Sequence, residues 1–150
     1  GERISSILPV EEYSADQFVI MATANGTVKK TSLDQYSRPR SVGLRAVDLV
    51  EGDHLVGTAI IDGSKDIMLF SSEGKAVRFS ETDVRAMGRV SKGVRGMRLP
   101  EEHSVISMVV PEQDGLIISA QFFLVKLIGI KVPKALKSVG VHPCISVWRL

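Results

Sequence analysis

An internal repeat of about 50 residues restricts the fold of this chain more than any other feature of its sequence. When Gly26 is aligned with Gly74, the segment VIMATANGTVKKTSLDQY lies over IMLFSSEGKAVRFSETDV. With two extra residues in the second copy, GLRAVDL at 43–49 lies over GVRGMRL at 93–99. Periods of this length are typical of propeller blades, in which each repeat is one supersecondary unit. The sequence therefore predicts stacked copies of such a unit.

Each copy has the pattern of strands rather than helices. Short apolar or alternating runs are separated by Gly, Asp, Glu and Ser, which predicts an all-β fold with about four strands per unit. Asn25-Gly26 predicts a hairpin with a type I′ turn, and Glu73-Gly74 is a weaker version of the same signal. We expect the last strand of one unit at 1–12, two units at 13–61 and 62–110, and the start of a third at 114–120. Residues 121–150 form a tail without the repeat pattern.

Composition excludes several other classes of protein. No apolar run reaches the ~20 residues of a membrane helix, and no signal peptide is recognisable, so a cytoplasmic protein is expected. The single Cys144 excludes an internal disulfide and argues against a cysteine zinc site. His54 and His103 nearly correspond between the repeats, but we interpret them as turn residues rather than metal ligands. No nucleophile elbow, phosphate loop or paired-carboxylate motif is present, so no catalytic residue is predicted.

The charges follow the repeat. Residues 27–50 carry a net charge of +3, residues 51–73 carry −4, and residues 74–99 carry +5. Stacked repeats place equivalent positions side by side, so the basic halves should line one rim. A continuous basic rim suits binding of a long polyanion without reading its sequence. A merely solvated charged surface is the alternative for either repeat taken alone.

At this point the residues resemble a known family. The strings FVIMATANGTVKKT, IMLFSSEGKAVRFSETDVRAMGR and KGVRGMRL are similar to the C-terminal domain of the bacterial DNA gyrase A protein, over about residues 1–119. The resemblance implies a β-pinwheel, a six-bladed relative of the propeller whose blades exchange strands. This chain would form a partial ring of about two and a half blades.

The resemblance also implies function and partners. The domain would wrap double-stranded DNA around its basic perimeter and support ATP-dependent negative supercoiling, without bond chemistry of its own. The gyrase B protein would join an A2B2 holoenzyme through other domains, in the bacterial cytoplasm and on the chromosome. ATP and magnesium would act elsewhere in the holoenzyme, so we expect no cofactor in this chain.

The DNA-binding residues implied by the resemblance are the basic side chains of both repeats, each contacting phosphate rather than bases. In the first repeat they are Lys29, Lys30, Arg38, Arg40 and Arg45, and in the second Lys75, Arg78, Arg85, Arg89, Lys92, Arg95 and Arg98. Since alternate strand residues point to opposite faces, about half of those in strands should turn away from DNA. We expect Arg38, Arg40, Arg89 and Lys92 in loops, and we favour these four together with Lys29, Lys30 and Arg78.

The sequence departs from the family in two places. The basic, glycine-rich gyrase box is not in this sequence, and after Ala120 the repeat is replaced by a stretch without Asp or Glu. A reading-frame shift or truncation near Ala120 is one hypothesis for this tail, and a genuine divergent ending that pairs as a strand or aggregates is the other. An open ring exposes strand edges, which predicts marginal stability or self-association. Topoisomerase IV and a protein-binding propeller fragment with a charged rim remain alternative functions.

Overall fold

The structure, a computed structural model, describes residues 4–111, 116–120 and 145–149. It divides into two compact units, residues 1–110 and 111–150. The described residues form nine strands and two short 3₁₀ helices, so the predicted all-β fold is confirmed. Within this described part, no helix has the length and apolarity needed to cross a membrane.

The first sheet is antiparallel and has four strands in the order β3-β1-β2-β6. Its strands are β1 (Phe18–Thr23), β2 (Thr27–Ser32), β3 (Leu55–Ile61) and β6 (Val94–Arg95), and a 3₁₀ helix at Leu33–Tyr36 follows β2. The second sheet has three strands in the order β5-β4-β7. These are β4 (Asp66–Ser71), β5 (Ala76–Ser80) and β7 (Val105–Val109), with a 3₁₀ helix at Glu81–Asp83 after β5.

In the unit at 111–150 the described residues form an antiparallel pair, β8 (Leu116–Ala120) with β9 (Ile145–Arg149). β8 lies where the sequence predicts the start of a third repeat, and β9 lies in the predicted divergent tail. The remaining tail positions, including the apolar run predicted to pair or aggregate, lie outside the described residues. The reading-frame hypothesis and the predicted marginal stability therefore stay predictions.

The core of the first unit joins the two repeats. Ile20 and Val28 from the first sheet and Ile67, Leu69 and Val105 from the second are all fully buried in one cluster. Both repeats thus supply apolar strand residues to one shared interior, as stacked repeats require. The buried positions are not the aligned ones, because Met68 and Ala76, which align with Ile20 and Val28, are half-buried.

A strand exchange links the repeats. β6 belongs by sequence to the second repeat, yet it pairs with β2 of the first, with Thr27 opposite Arg95 and Val28 opposite Val94. The exchange of strands between blades that the family resemblance implies is therefore present. The corresponding segment of the first repeat, residues 43–49, forms no strand.

Two local predictions are wrong. In the first hairpin Gly26 has a φ of +80° but Asn25 does not have positive φ, so the turn is not type I′. The Gly26 amide donates to the Thr23 carbonyl over 3.0 Å, and Ala22 pairs with Val28. This leaves a three-residue loop, a type I turn closed by a left-handed glycine. In addition, residues 4–12 form no strand, because none of the described strands pairs with them.

Candidate nucleic-acid interface

Two loops carry most of the predicted basic residues. We call residues 37–50 the first basic loop and residues 85–93 the second basic loop. The first follows β2 and its 3₁₀ helix, and the second connects the 3₁₀ helix after β5 to β6. Together with the β6 segment to residue 99, they contain eight basic residues and one acidic residue, Asp48. Each loop is thus basic in its own right.

The second basic loop is fixed to β2 at both of its ends. At one end Ala86 forms a parallel bridge with Lys30, and the Met87 amide donates to the Lys30 carbonyl over 2.8 Å. At the other end Gly93 lies so close to β2 that a Cβ there would be 2.7 Å from the Val28 carbonyl oxygen. Only a glycine permits this approach, and it also has a φ of +97°. The strand exchange therefore brings a basic loop of the second repeat onto the first sheet.

Lys29 and Lys30 are inside the protein, not on its rim. Their residues are 1% and 6% exposed, because β2 is covered on both faces instead of alternating. The Lys29 ammonium donates to the backbone carbonyls of Ala46, over 2.7 Å, and of Arg89. Their predicted place on the DNA-binding rim is therefore wrong in this fold, since neither ammonium reaches the surface.

Lys30 has a buried acidic partner in the other repeat. Its ammonium lies 3.2 Å from the carboxylate of Glu81, which is completely buried, and 4.5 Å from the centre of the Phe18 ring. The second Glu81 oxygen accepts the Lys65 amide over 2.7 Å. The position aligned with Glu81 in the first repeat is Leu33. An acid at a repeat position that is otherwise apolar is therefore the sequence feature that indicates a buried carboxylate here.

The other predicted residues are at the surface. Seven of them form no ion pair with any residue of the described part: Arg38, Arg40, Arg85, Arg89, Lys92, Arg95 and Arg98. Arg89 is half-buried, and the other six are exposed. Arg45 is exposed, with its guanidinium 3.5 Å from Asp48. These residues belong to the two basic loops and the β6 segment.

Lys75, in the loop before β5, and Arg78, within β5, have acidic neighbours. The Lys75 ammonium is 2.9 Å from the Glu73 carboxylate. The Arg78 guanidinium donates to Asp66 through Nε over 2.6 Å, and a second nitrogen is 2.5 Å from the same oxygen. Because these pairs are half exposed, they reduce the local positive charge without burying it.

The acidic stretch 51–73 uses its carboxylates at turns. Asp53 accepts the Asn25 amide over 3.0 Å, and Asp62 accepts the amide and hydroxyl of Ser64 over 3.1 and 2.7 Å. The Ser64 hydrogen bonds hold the pKa of Asp62 below its usual value. Asp62 is therefore charged at neutral pH, and the negative net charge of this stretch disfavours a polyanion there.

The two basic loops are brought together by elements that the sequence did not reveal. The carbonyl acceptors of the Lys29 ammonium, Ala46 and Arg89, belong to different loops and different repeats. The Arg89 amide also donates to the Gln35 side chain over 3.2 Å, beside the start of the first loop. Residues far apart in the sequence thus share one surface, which is what contact with a continuous DNA backbone requires.

The histidines form no metal centre among the described residues. There, no group of three metal-ligating side chains is close enough to hold an ion. His103 instead lies 3.3 Å from the Ser72 hydroxyl, at the end of the second hairpin.

The fold and this surface define a propeller-type domain of repeated blades that exchange a strand. The sequence profile of the DNA gyrase C-terminal domain, a beta-propeller, matches residues 17–62 and 65–112. The chain belongs to this family.

Relatives of the chain are DNA gyrase A proteins. That of Klebsiella oxytoca is 55% identical over 120 residues, covering 80% of this chain and 14% of the relative. The Pseudomonas aeruginosa protein is 57% identical over 103 residues, covering 69% of this chain and 11% of its own length. The Haemophilus influenzae protein is 46% identical over 140 residues, 89% of this chain and 16% of the relative. The chain thus spans a small part of these relatives.

Solved structures have the same fold. The C-terminal domain of DNA topoisomerase IV matches with a TM-score of 0.69 at 27% identity, covering 76% of this chain and 36% of that chain. The DNA gyrase A C-terminal domain matches with a TM-score of 0.65 at 21% identity, covering 74% and 37%. Both matches cover less than half of the solved domain, as expected for a partial ring.

Proposed function

We propose that this chain is a DNA-binding and DNA-wrapping part of a gyrase A protein. One observation carries the proposal: six of the predicted basic residues, from two consecutive repeats, lie in two adjoining loops that contain a single acid, Asp48. Arginine and lysine on such a surface bind phosphate oxygens irrespective of base sequence. Bending a 20–30 bp segment costs on the order of several kcal/mol. A row of phosphate contacts from successive repeats offsets that cost, whereas one compact patch contacts too short an arc.

The wider assignment follows from the relatives. Supercoiling by the whole enzyme would require the gyrase B protein, ATP and magnesium, all acting outside this chain, in the cytoplasm of a bacterium. The chain itself would supply phosphate contacts and no bond chemistry. Topoisomerase IV is the second candidate, favoured by the solved domain at 27% identity. Gyrase is preferred because gyrase A relatives are 55% and 57% identical to this chain over the matched residues.

The set of proposed phosphate contacts is revised by burial. It keeps the exposed or half-buried residues and omits the two buried lysines. The first set, from the two basic loops and β6, is Arg38, Arg40, Arg45, Arg85, Arg89, Lys92, Arg95 and Arg98. Lys75 and Arg78 form a weaker second set, since each already has a carboxylate neighbour.

Neutralising both basic loops tests the proposal. In a quadruple variant, two residues of each loop become glutamine: Arg38, Arg40, Arg85 and Lys92. If all four contact phosphate, the negative slope of log affinity against log salt should become less steep by about 3.6, because each contact contributes roughly −0.9. Binding to a fluorescent duplex measured by anisotropy at several salt concentrations gives this slope.

Lys65→Gln provides the matched control. The Lys65 side chain is 41% exposed but lies in the acidic stretch, 3.7 Å from Asp62. Its removal should leave the affinity for DNA and the salt slope unchanged. An equal effect of the control and the quadruple variant would reject the basic-loop surface. An unchanged slope in the quadruple variant would favour the protein-binding alternative instead.

A further inference from the structure

Lys29 occupies an unusual place beneath the second basic loop. In β2 its neighbours are Lys30, which holds the start of that loop through Met87, and Val28, which pairs with Val94 just beyond its end. The loop therefore arches over Lys29. The Lys29 side chain extends into this arch, where its ammonium meets the Arg89 carbonyl.

The same ammonium reaches the first basic loop. It donates to the Ala46 carbonyl over 2.7 Å, next to Arg45 in the sequence. One buried charge thus joins the backbones of two loops that belong to different repeats. Burial, helped by the nearby Arg89 guanidinium and partly opposed by Asp48, lowers the pKa of Lys29 below its usual 10.5. A buried ammonium is costly unless it is well hydrogen-bonded, which makes these two carbonyl contacts important.

The sheet alone does not require a lysine at this position. The aligned residue of the second repeat is Val77, an apolar residue in β5 that pairs with Leu69. A valine is sufficient to build the equivalent hairpin, so the long charged side chain of Lys29 must be explained by what lies at its end. That is the junction of the two basic loops.

We infer that Lys29 is a positioning residue for DNA binding, which clamps the two basic loops together so that their arginines form one surface. Lys29 itself does not contact phosphate. The inference rests on the proposed function for its consequence, but the clamp can be observed without DNA. This buried lysine thus affects DNA binding indirectly, because it fixes the backbone at Arg89 and next to Arg45.

Lys29→Met is the main test, because methionine fills the same space without the charge or the donors. In the DNA-free chain, amide hydrogen exchange should become at least about 10-fold faster in both loops, with Gly43, Arg89 and Ser91 as reporters. Core amides such as Ile20 should keep their protection. Affinity for a random duplex of about 30 bp should fall about 3- to 10-fold, with the salt slope unchanged, because no phosphate contact is removed.

Two further variants separate positioning from direct contact. Lys29→Arg retains two or more donors and should restore slow exchange in both loops. Arg38→Gln should show the reverse pattern: the salt slope of the affinity becomes less steep by about 0.9, and amide hydrogen exchange in both loops is unchanged. If Lys29→Met instead lowers the salt slope and leaves both loops protected, Lys29 contacts phosphate and the inference is wrong. Faster exchange in only one loop would also overturn the clamp.

A measurement on the unchanged chain covers the case in which Lys29→Met does not fold. An amine-acylating reagent should modify exposed Lys92 at least about 10-fold faster than buried Lys29, and DNA should protect Lys92 only. Equal acylation rates would overturn the inference. If DNA fails to bind at all, the proposed function is rejected, while the exchange data still decide whether the clamp exists.

Discussion

Glu81→Gln should lower the free energy of unfolding by about 3 kcal/mol, the largest effect that we expect of a single charge change among the described residues. Glu81 is completely buried and faces the ammonium of Lys30, whose residue is only 6% exposed. Removing the carboxylate's charge leaves that ammonium in the interior without a counter-charge. Because Lys30 belongs to the first repeat and Glu81 to the second, the loss should also weaken the junction between repeats. Urea unfolding followed by far-UV circular dichroism measures it.

The exposed pair between Asp66 and Arg78 supplies the matched control. Its side chains are 33% and 46% exposed, and exposed pairs contribute at most about 1 kcal/mol. Asp66→Asn should therefore shift the urea midpoint far less than Glu81→Gln. In addition, Lys30→Met combined with Glu81→Leu should cost less than the sum of the single changes, because the two groups interact. Equal effects at the buried and exposed pairs would contradict this interpretation.

Gly26→Ala should also cost about 3 kcal/mol, for reasons of backbone geometry. Gly26 has a φ of +80°, and a Cβ there would lie 2.6 Å from the Met97 carbonyl oxygen. The Gly26 carbonyl accepts the amides of Gly96 and Met97 over 2.8 and 3.2 Å. A methyl group would thus add strain of roughly 1–2 kcal/mol in the left-handed backbone conformation. It would also push away the exchanged segment, residues 94–97, and so weaken these hydrogen bonds. Thermal unfolding should show a clear fall in Tm.

Gly52→Ala separates the two contributions. Gly52 has the same φ of +80°, but nothing lies within 4 Å of the position its Cβ would occupy. This variant should show only the strain, about 1–2 kcal/mol. If the two alanine variants are equally destabilised, the close approach of the exchanged segment to Gly26 does not contribute, and the described docking of residues 96 and 97 is wrong.

The sequence predicted the repeat, the hairpins and the all-β fold because these depend on local periodicity and turn residues. It could not predict that β2 is covered on both faces. That coverage comes from the second repeat through residues 86–95, a contact between distant positions that no local pattern records. Lys29 and Lys30 were therefore assigned to the surface, although one reaches two backbone carbonyls and the other a buried carboxylate.

The basic loops were predicted more accurately. Arg38, Arg40, Arg89 and Lys92 were expected in loops, and charged residues are rarely buried. Arg38, Arg40 and Lys92 are accordingly exposed. Their mutual proximity was predictable only in outline, from the stacking of repeats. The Lys29 hydrogen bonds that join the loops are accepted by the backbone carbonyls of Ala46 and Arg89. Because every residue has a backbone carbonyl, such contacts cannot be predicted from the sequence.

The salt dependence of DNA binding by the unchanged chain tests the central claim most directly. Two unrelated duplexes of about 30 bp, long enough for a tight arc, would be titrated by fluorescence anisotropy at about 50, 100 and 200 mM salt. The proposed surface predicts equal affinity for both sequences and a slope of log affinity against log salt of about −4 or steeper. A slope near zero, or a strong preference for one sequence, would contradict it.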